Sequence, residues 1–344
     1  GLYGAYAQNR YTDTSATLVS YWKKGDIKRF EITEQSVTYK HDTLKEEKTD
    51  IDTILFLVKE ETSKSYLIEW EYLGNSSTDK DNAVLKKINE KLSKKYGNMK
   101  LLYSTSESGT FQQIENWEKL SKAFGYAFDE AIKGEKKNSD MVRIFKQLKE
   151  LYQTKQGIEN IFNKYVNTYH YLYGLEFFKN NPYYFETTLP NAFGGDPFPA
   201  NLAIRLDSVN TADEKAYISI KQSVDKDKAR TNIKEIIEKL GGKKLEDNFF
   251  DKDDLFLIND KMKYTVSLQE GWVEQYEFIR TIKVDNVKKI TKINISLGVY
   301  KTGCYLPGRS NSSRLIVVVV VVVVVVVICD RVCTAVRCCR CCHY

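Results

Sequence analysis

Residues in both halves of the chain alternate between apolar and polar types with a period of two, the pattern of a β-strand with one buried face. The clearest run places Tyr66, Ile68, Trp70 and Tyr72 on one face. Other runs of this kind contain Phe30 and Ile32; Ile54, Phe56 and Val58; Leu202, Ile204 and Leu206; and Met262, Tyr264, Val266 and Leu268. The pattern predicts antiparallel β-meanders over residues 8–114 and 175–298.

Between these meanders the apolar residues follow the spacing of amphipathic helices. Helices are expected near Trp117 and Met141, and shorter ones at 85–92 and 229–240. The clearest stripe ends at Gly174 and consists of Ile158, Ile161, Phe162, Tyr165, Val166, Tyr169, Leu172 and Tyr173. The expected fold is therefore α+β: a single unit over residues 8–298 in which a large antiparallel sheet packs against a central helical block at 115–174.

The sequence changes character after residue 298. The last lysine is Lys301, eleven consecutive valines lie inside an apolar run at 315–329, and the final residues are rich in cysteine. A transmembrane helix needs about 20 apolar residues, and the Cys/His-rich end lacks the separated ligand pairs of zinc modules. A frameshift or assembly error that reads through repetitive DNA explains the changed residue usage and the valine run together, and it is the favoured interpretation. Residues 299–344 are therefore left out of the fold, and no stable transmembrane span is expected.

Shortening the chain so that it ends at Leu297 tests this interpretation of the tail. We expect the shortened chain to melt at the same temperature as the full chain and to stay soluble at higher concentration, because an exposed valine run favours aggregation. Thermal unfolding and solubility of both forms measure this. Loss of the folded state on shortening would show that the tail belongs to the fold.

Charge and cysteine content exclude several classes of function. Of the net charge of +6, the tail carries +5, so the body is almost neutral and has no electrostatic footprint for nucleic acid. All seven cysteines lie at or after Cys304, and the body has two histidines, His41 and His170. The body therefore offers no disulfide, no thiolate nucleophile and no multi-histidine metal site. Neither a cofactor nor a metal is expected.

The first residues indicate export. Ala5-Tyr6-Ala7 followed by Gln8 fits the small-x-small pattern of a signal-peptidase site, so residues 1–7 are interpreted as the remainder of a signal peptide. The alternative is an ordinary N-terminus with two chance alanines. The expected location is the periplasm or the cell envelope.

Motifs for phosphate binding, for serine hydrolases and for zinc proteases are missing from the sequence. Glu69 and Glu71 share one side of a predicted strand, as paired catalytic carboxylates do, but a half-exposed strand produces such pairs routinely. The charged runs at 45–48 and 251–254 are interpreted as solvated turns, and the acidic stretch at 247–260 lacks the spacing of a calcium loop. Gly194 and Gly195 are interpreted as part of a connector.

Nine aromatic residues lie between positions 165 and 185. Core packing explains those on the helical stripe, but Tyr171 lies off it. Tyr183, Tyr184 and Phe185 put aromatic rings on both faces of a strand, and each face then needs a cover, either helices or an apolar ligand. Both interpretations stay open, and the candidate ligand-binding residues are Tyr171, Tyr183, Tyr184 and Phe185.

Three short segments carry a family resemblance. They are Tyr21-Trp22-Lys23-Lys24-Gly25-Asp26, Ile68-Glu69-Trp70, and Gly271-Trp272-Val273 with Arg280-Thr281-Ile282. The chain resembles uncharacterised exported proteins of Bacteroidota over most of residues 11–297, and this resemblance implies an envelope location without naming an activity. At the level of the fold alone, long meanders crossed by helices are similar to the β-clam of periplasmic lipid-carrying proteins.

These observations favour an exported, non-enzymatic protein of the cell envelope that binds an apolar or lipid-like ligand between sheet and helices. The first alternative is a structural module that binds an envelope protein. A hydrolase that uses carboxylates is a third, less favoured hypothesis. A ligand site predicts an apolar cavity of a few hundred cubic ångströms beneath the helices.

Overall fold

The computed structural model describes residues 11–77, 90–92, 94–97, 99–133, 140–189, 196–241, 256–284 and 286–298. The predicted signal-peptide remnant at 1–7, the glycines at 194 and 195, the charged run at 251–254 and the tail lie outside the described residues. The strands are β1 (Ser15–Thr17), β2 (Ile27–Lys40), β3 (Thr43–Glu61), β4 (Ser65–Ser77), β5 (Leu101–Ser106), β6 (Phe111–Ile114), β7 (Glu176–Phe178), β8 (Tyr183–Leu189), β9 (Phe198–Asn210), β10 (Lys215–Val224), β11 (Phe256–Ser267), β12 (Val273–Val284) and β13 (Val287–Leu297).

The helices are short compared with the strands. They are α1 (Trp117–Ile132), α2 (Asp140–Tyr152), α3 (Lys155–Phe162), α4 (Thr168–His170) and α5 (Arg230–Gly241), and a π-helical turn, Asn163–Asn167, joins α3 to α4. Residues 90–92 and 94–96 are also helical; the rest of the helix predicted at 85–92 lies outside the described part.

The predicted α+β fold with a central helical block is wrong. The part of the chain that the structure describes is mostly antiparallel β-sheet, with 54% strand against 22% helix, so the helices are additions to a β protein. Eleven strands are hydrogen-bonded in the order β6-β5-β4-β3-β2-β13-β12-β11-β10-β9-β8, and β1 pairs with β7 in a separate ribbon.

The error arose at residues 33–50, where β2 and β3 run through a polar stretch. Most side chains there are exposed or half-exposed on both faces, so the period-two signal of a half-buried strand disappears. The charged run at 45–48, predicted as a turn, lies inside β3. The turn is at His41 and Asp42, whose φ angles of 50° and 57° suit a two-residue hairpin loop.

Contacts divide the chain into two compact units. The first contains Gly1–Tyr21, Ile32–Asp50 and Tyr173–Leu297, and the second contains Trp22–Glu31, Ile51–Leu172 and Gly298–Tyr344. The division predicted from sequence, at 8–114, 115–174 and 175–298, stays a prediction.

In the second unit, helices and strands share an aromatic core. Tyr169 of α4 lies 6.1 Å from Phe56 and 6.5 Å from Trp70, measured between ring centroids. The apolar stripe predicted up to Tyr173 is buried at every position. That prediction is confirmed, although the single predicted helix is interrupted by the π-helical turn.

In the first unit, strands β8–β13 bury one face, here called the inner face. One cross-strand row of this face consists of Ile204, Ile220, Met262, Phe278 and Ile293. Ala229, which directly precedes α5, and Ile233, in the first turn of α5, pack with Phe198, Phe256 and Ile258 on another part of the inner face. The opposite face, here called the outer face, carries exposed polar residues such as Arg205 and Lys263.

Candidate functional site

Strand β8 ends the sheet and places aromatic rings on both of its faces. Tyr183 and Phe185 lie opposite Ile204 and Leu202 on the inner face, whereas Tyr184 lies opposite Ala203 on the outer face. The rings of Tyr183 and Phe185 stack, with centroids 5.9 Å apart and an interplanar angle of 13°. Phe185 is 49% exposed and Tyr184 is 65% exposed, so the described residues leave both faces of β8 largely uncovered.

The protein fixes Tyr183 and leaves Phe185 open. Phe177 packs edge-on against Tyr183 at a centroid distance of 6.1 Å, and the Tyr183 hydroxyl donates to the Glu176 carbonyl. On the outer face, the Tyr184 hydroxyl accepts a hydrogen bond of 3.3 Å from Arg205. The stacked pair is therefore a positioned apolar surface with one half open to solvent.

Tyr171, the fourth predicted ligand-binding residue, belongs to the second unit and follows α4 directly. Its side chain is 42% exposed, and partial burial raises the pKa of its hydroxyl. Tyr183, Tyr184 and Phe185 lie on one strand of the first unit, whereas Tyr171 belongs to the second unit. A ligand-binding role for these four residues stays a prediction.

A second open region of the inner face lies on β12 and β13, where three cross-strand pairs are half-buried. The six residues, here called the Arg280 patch, are Arg280 opposite Thr291, Ile282 opposite Lys289, and Val284 opposite Val287. One end of the patch is polar and the other apolar. Ile282 and Val284 pack against the core cluster beneath α5, so the apolar end is continuous with the core.

Arg280 is held by a buried carboxylate. Asp260, on the neighbouring strand β11, is only 1% exposed and accepts hydrogen bonds of 2.8 Å from Nε and 2.6 Å from Nη2 of Arg280. Burial lowers the pKa of Arg280, but its hydrogen bonds to Asp260 and the charge of that carboxylate outweigh burial and raise the pKa above its usual value. The guanidinium is thus a fixed cation with a defined orientation.

Gln222 continues the polar row on the other side of Asp260. Its side chain is largely buried. Sequence reasoning missed this row, although a signal was present: Gln222, Asp260 and Arg280 each interrupt the apolar alternation of their strand.

The paired carboxylates Glu69 and Glu71 are neutralised by lysines. Lys100 lies between them, bonded to Glu69 and 3.0 Å from Glu71, and Lys59 lies 3.2 Å from Glu69. Burial raises the pKa of Glu69, but hydrogen bonds from both lysines outweigh it and hold the pKa below its usual value. An ionised carboxylate cannot serve as the general acid that glycoside hydrolysis needs.

His170 is the buried histidine of the second unit. Its Nδ1 lies 2.8 Å from the Gly109 carbonyl and its Nε2 lies 2.8 Å from the Tyr103 hydroxyl. Because a carbonyl only accepts, Nδ1 carries the proton and Nε2 accepts from Tyr103. Burial lowers the pKa of His170 to about 3, although the bond to Gly109 favours the protonated form. Both ring nitrogens are occupied, which indicates a structural role.

A cavity of about 100 Å³ lies beside the π-helical turn of the second unit. Its lining combines apolar, amide and carboxylate side chains and consists of Phe111, Gln156, Glu159, Asn160, Phe162, Val166 and Asn167. Ligand pockets usually measure about 300–1,000 Å³. This cavity is therefore smaller than the one expected beneath the helices and cannot enclose a lipid.

Two structural searches were negative within the described residues. No helix there is long and apolar enough to cross a membrane. No group of three or more His, Cys, Asp or Glu side chains in the same ranges is placed to hold a metal ion.

Comparisons with known proteins give structural likenesses only. No protein-family model and no curated protein sequence matches the chain. A structure described as lipid-protein interactions in lipovitellin has a TM-score of 0.38 and 8% identity, and the match covers 84% of this chain but 26% of lipovitellin. A Bacteroides fragilis protein, described as a putative exported protein with a YmcC-like fold, has a TM-score of 0.20 and 8% identity. The match covers 81% of this chain and 98% of that protein.

TM-scores below 0.5 do not establish a common fold, so neither likeness carries an argument about function. For the expected resemblance to exported Bacteroidota proteins and to lipid carriers, the comparisons thus give structural neighbours with low TM-scores and no family. Function must be argued from the geometry of this chain.

Proposed function

We propose that this protein is an exported, non-enzymatic protein of the cell envelope that binds an apolar, lipid-like ligand on the inner face of β8–β13. The observation that carries the proposal is the solvent exposure of the Phe185 ring. Its ring is stacked on Tyr183, lies on the face that elsewhere forms the core, and is 49% exposed. A positioned aromatic surface of this kind gains free energy when an apolar molecule covers it.

The geometry favours binding over catalysis. Two lysines hold Glu69 ionised, and both nitrogens of His170 are engaged in the core. Apolar surface on the inner face is open at two places, around Phe185 and at the apolar end of the Arg280 patch. Open apolar surface continuous with a core is a feature of ligand and partner sites.

Two neighbouring substitutions test the proposed role of Phe185. With methyl palmitate as an uncharged apolar probe, we expect Phe185→Ala to weaken binding about tenfold, because the stacked ring is lost from the inner face. Tyr184→Ala is the matched control, since Tyr184 is more exposed but lies on the outer face, and we expect less than a twofold change. Equilibrium dialysis measures both. Equal effects of the two substitutions, or no binding by the unmodified chain, would contradict the proposal.

The alternative function, a module that binds another envelope protein, is favoured by one observation. Strand β8 ends the strand order, so within the described residues its second edge pairs with no strand. An open edge can accept an extended segment of a partner. This function predicts that the chain does not bind methyl palmitate. It also predicts that, when binding of the protein partner is measured, Tyr184→Ala weakens that binding more than Phe185→Ala does.

A further inference from the structure

We infer that the outer face of β8–β13 docks on an anionic membrane surface through a cluster of exposed cations. The cluster, here called the outer basic patch, consists of Arg205, Lys221, Lys261, Lys263 and Lys292. It lies on the face opposite the proposed ligand surface, so the inference goes beyond the proposed function and does not depend on it. Three observations support it: the strand register, the lack of carboxylate partners among the described residues, and an exposed tyrosine at the end of the patch.

The register places three lysines in one cross-strand row of the outer face. Lys221 of β10 lies directly opposite Lys261 of β11, and Lys292 of β13 follows in the same row beyond Ile279 of β12. Neighbouring strands are about 4.8 Å apart, so the backbones of the first two lysines are adjacent. Like charges that lie directly opposite each other destabilise a sheet. This arrangement therefore does not serve the stability of the free protein.

The next row of the outer face adds two more cations and one carboxylate. Lys263 lies between Ser219 on one side and Glu277 on the other, and Ser219 lies opposite Arg205. Glu277 is the only carboxylate that the described strands β9–β13 place in these two rows. Five cations thus face one acidic side chain, and the excess positive charge is local to this part of the sheet.

The side chains of the patch lysines are not used by the protein itself. All four are exposed, and none forms an ion pair or a side-chain hydrogen bond within the described residues. Other charges of the same face do have partners: Lys215 pairs with Glu274 at 2.8 Å, and Glu186 pairs with Lys228 at 2.6 Å. The contrast between paired charges around the patch and unpaired lysines within it indicates an anionic partner.

Tyr184 favours a membrane over other anionic partners. It continues the row of Lys221 beyond Ala203 onto β8, its side chain is 65% exposed, and its hydroxyl accepts a hydrogen bond from Arg205. Exposed tyrosines are enriched at membrane–water interfaces, where the ring lies at the level of the head groups. Lysine is a flexible point charge that suits the diffuse charge of a bilayer, whereas phosphates of a polymer are typically held by forked arginine contacts.

Binding of the full chain to vesicles tests the inference. One set of vesicles is made of phosphatidylcholine, and the other contains phosphatidylcholine and phosphatidylglycerol in equal amounts; flotation separates bound from free protein. We expect binding to the anionic vesicles to be tighter by about tenfold or more. High salt should release the protein, because it screens exposed charges. Equal binding to both kinds of vesicle would overturn the inference.

Two double substitutions provide a matched pair. Lys221→Gln with Lys261→Gln removes two charges from the outer basic patch, and Lys119→Gln with Lys122→Gln removes two charges from exposed positions of α1. We expect the first pair to weaken binding to anionic vesicles about fivefold or more, and the second pair less than about twofold. Both forms keep the same C-terminal tail, so its arginines cannot cause a difference between them. Equal effects would indicate nonspecific attraction and would overturn the inference.

Two further variants separate docking from a loss of folding. The double substitution at 221 and 261 removes opposed like charges, so its melting temperature should equal or exceed that of the unmodified chain. If it is lower, Lys292→Gln takes its place, with an expected loss of about twofold in vesicle binding. Glu277→Gln removes the carboxylate of the two rows and should strengthen vesicle binding about threefold. Unchanged or weaker binding by Glu277→Gln would contradict the inference.

Heparin and single-stranded DNA distinguish a membrane from a soluble polyanion. Each is offered to the full chain under the conditions of the vesicle assay, and we expect both to bind more weakly than the anionic vesicles. If either polymer binds as tightly as the vesicles, and loses as much affinity on the double substitution at 221 and 261, the patch is a polymer site and the inference is overturned. The vesicle assay and the methyl palmitate assay have separate readouts, so either proposal can fail while the other stands.

Discussion

Replacing Gly271 with alanine is expected to destabilise the protein by about 4 kcal/mol or more, one of the two largest effects we predict. Gly271 lies in the turn between β11 and β12 with φ of +70°, where an L-residue costs about 1–2 kcal/mol. A Cβ at this position would also lie 2.2 Å from the Val19 carbonyl oxygen and 3.0 Å from the Ser20 Cα. Both are backbone atoms, so the segment itself would have to move.

The segment that passes Gly271 is tied on both sides. Leu18 exchanges backbone hydrogen bonds with Gly174 and Leu175 over 2.8 and 3.0 Å, and the Tyr173 hydroxyl donates to the Gly271 carbonyl over 2.8 Å. Displacing the segment would therefore disturb several buried bonds at once. This is why we expect the cost to exceed that of the unfavourable φ angle alone.

Gly25→Ala is the control that isolates the backbone conformation. Gly25 also has a positive φ, +95°, but no atom lies within 4 Å of the position that a Cβ would take there, so only the conformational cost of about 1–2 kcal/mol applies. Urea unfolding followed by tryptophan fluorescence measures both variants. Equal losses at Gly271 and Gly25 would show that the turn moves freely and that the close approach to Val19 is unimportant.

Acidification is expected to destabilise the protein through His170. The pKa of a histidine is 6.5 in the unfolded chain and about 3 for His170 in the folded protein, so between these values the unfolded state binds the extra proton. The contribution to stability is complete above pH 6.5 and decreases as the pH falls, by up to about 1.4 kcal/mol per pH unit. From pH 6.5 to pH 5 the free energy of unfolding should drop by about 2 kcal/mol, and further towards pH 3.

The structural cause of this loss is the environment of the imidazole. Trp22 and Phe56 lie 5.7 and 6.3 Å from the ring, measured between centroids, and its two nitrogens bind the Gly109 carbonyl and the Tyr103 hydroxyl. A proton on Nε2 would break the bond from Tyr103 and place a charge among aromatic rings. Such a charge is costly because it has lost its hydration.

Urea unfolding at several pH values between 7.5 and 5 tests this account. His170→Gln should be less stable at neutral pH and should lose most of the slope in this window. His41→Gln is the matched control, because His41 is exposed, and should keep the slope of the unmodified chain. If His170→Gln keeps the same slope, another group causes the acid sensitivity.

The sequence predicted buried positions better than it predicted the fold class. The stripe from Ile158 to Tyr173 and the alternation from Tyr66 to Tyr72 are buried as expected, because each follows from one local period. Residues 33–50 gave no such signal, since a strand exposed on both faces has no apolar side to mark it. Long polar stretches of β2 and β3 were therefore missed, and the weight of the helices was overestimated.

The open sites depend on information that the local sequence does not contain. Aromatic rings on both faces of β8 could be predicted from Tyr183, Tyr184 and Phe185, but the exposure of Phe185 depends on which elements cover β8. Gln222, Asp260 and Arg280 form one row because β10, β11 and β12 pair in a particular register. Each residue alone is an ordinary polar interruption, and only the register brings them together.

The most direct test of the central claim is a search for ligand on the full chain itself. The protein is isolated from a bacterial envelope without detergent exchange or organic solvent, and its mass is measured under native conditions before and after lipid extraction. The proposed function predicts a bound apolar or amphiphilic molecule that extraction removes and whose addition raises the melting temperature again by mass action. Protein that carries no such molecule, and whose melting temperature does not change when envelope lipid extract is added, would contradict it.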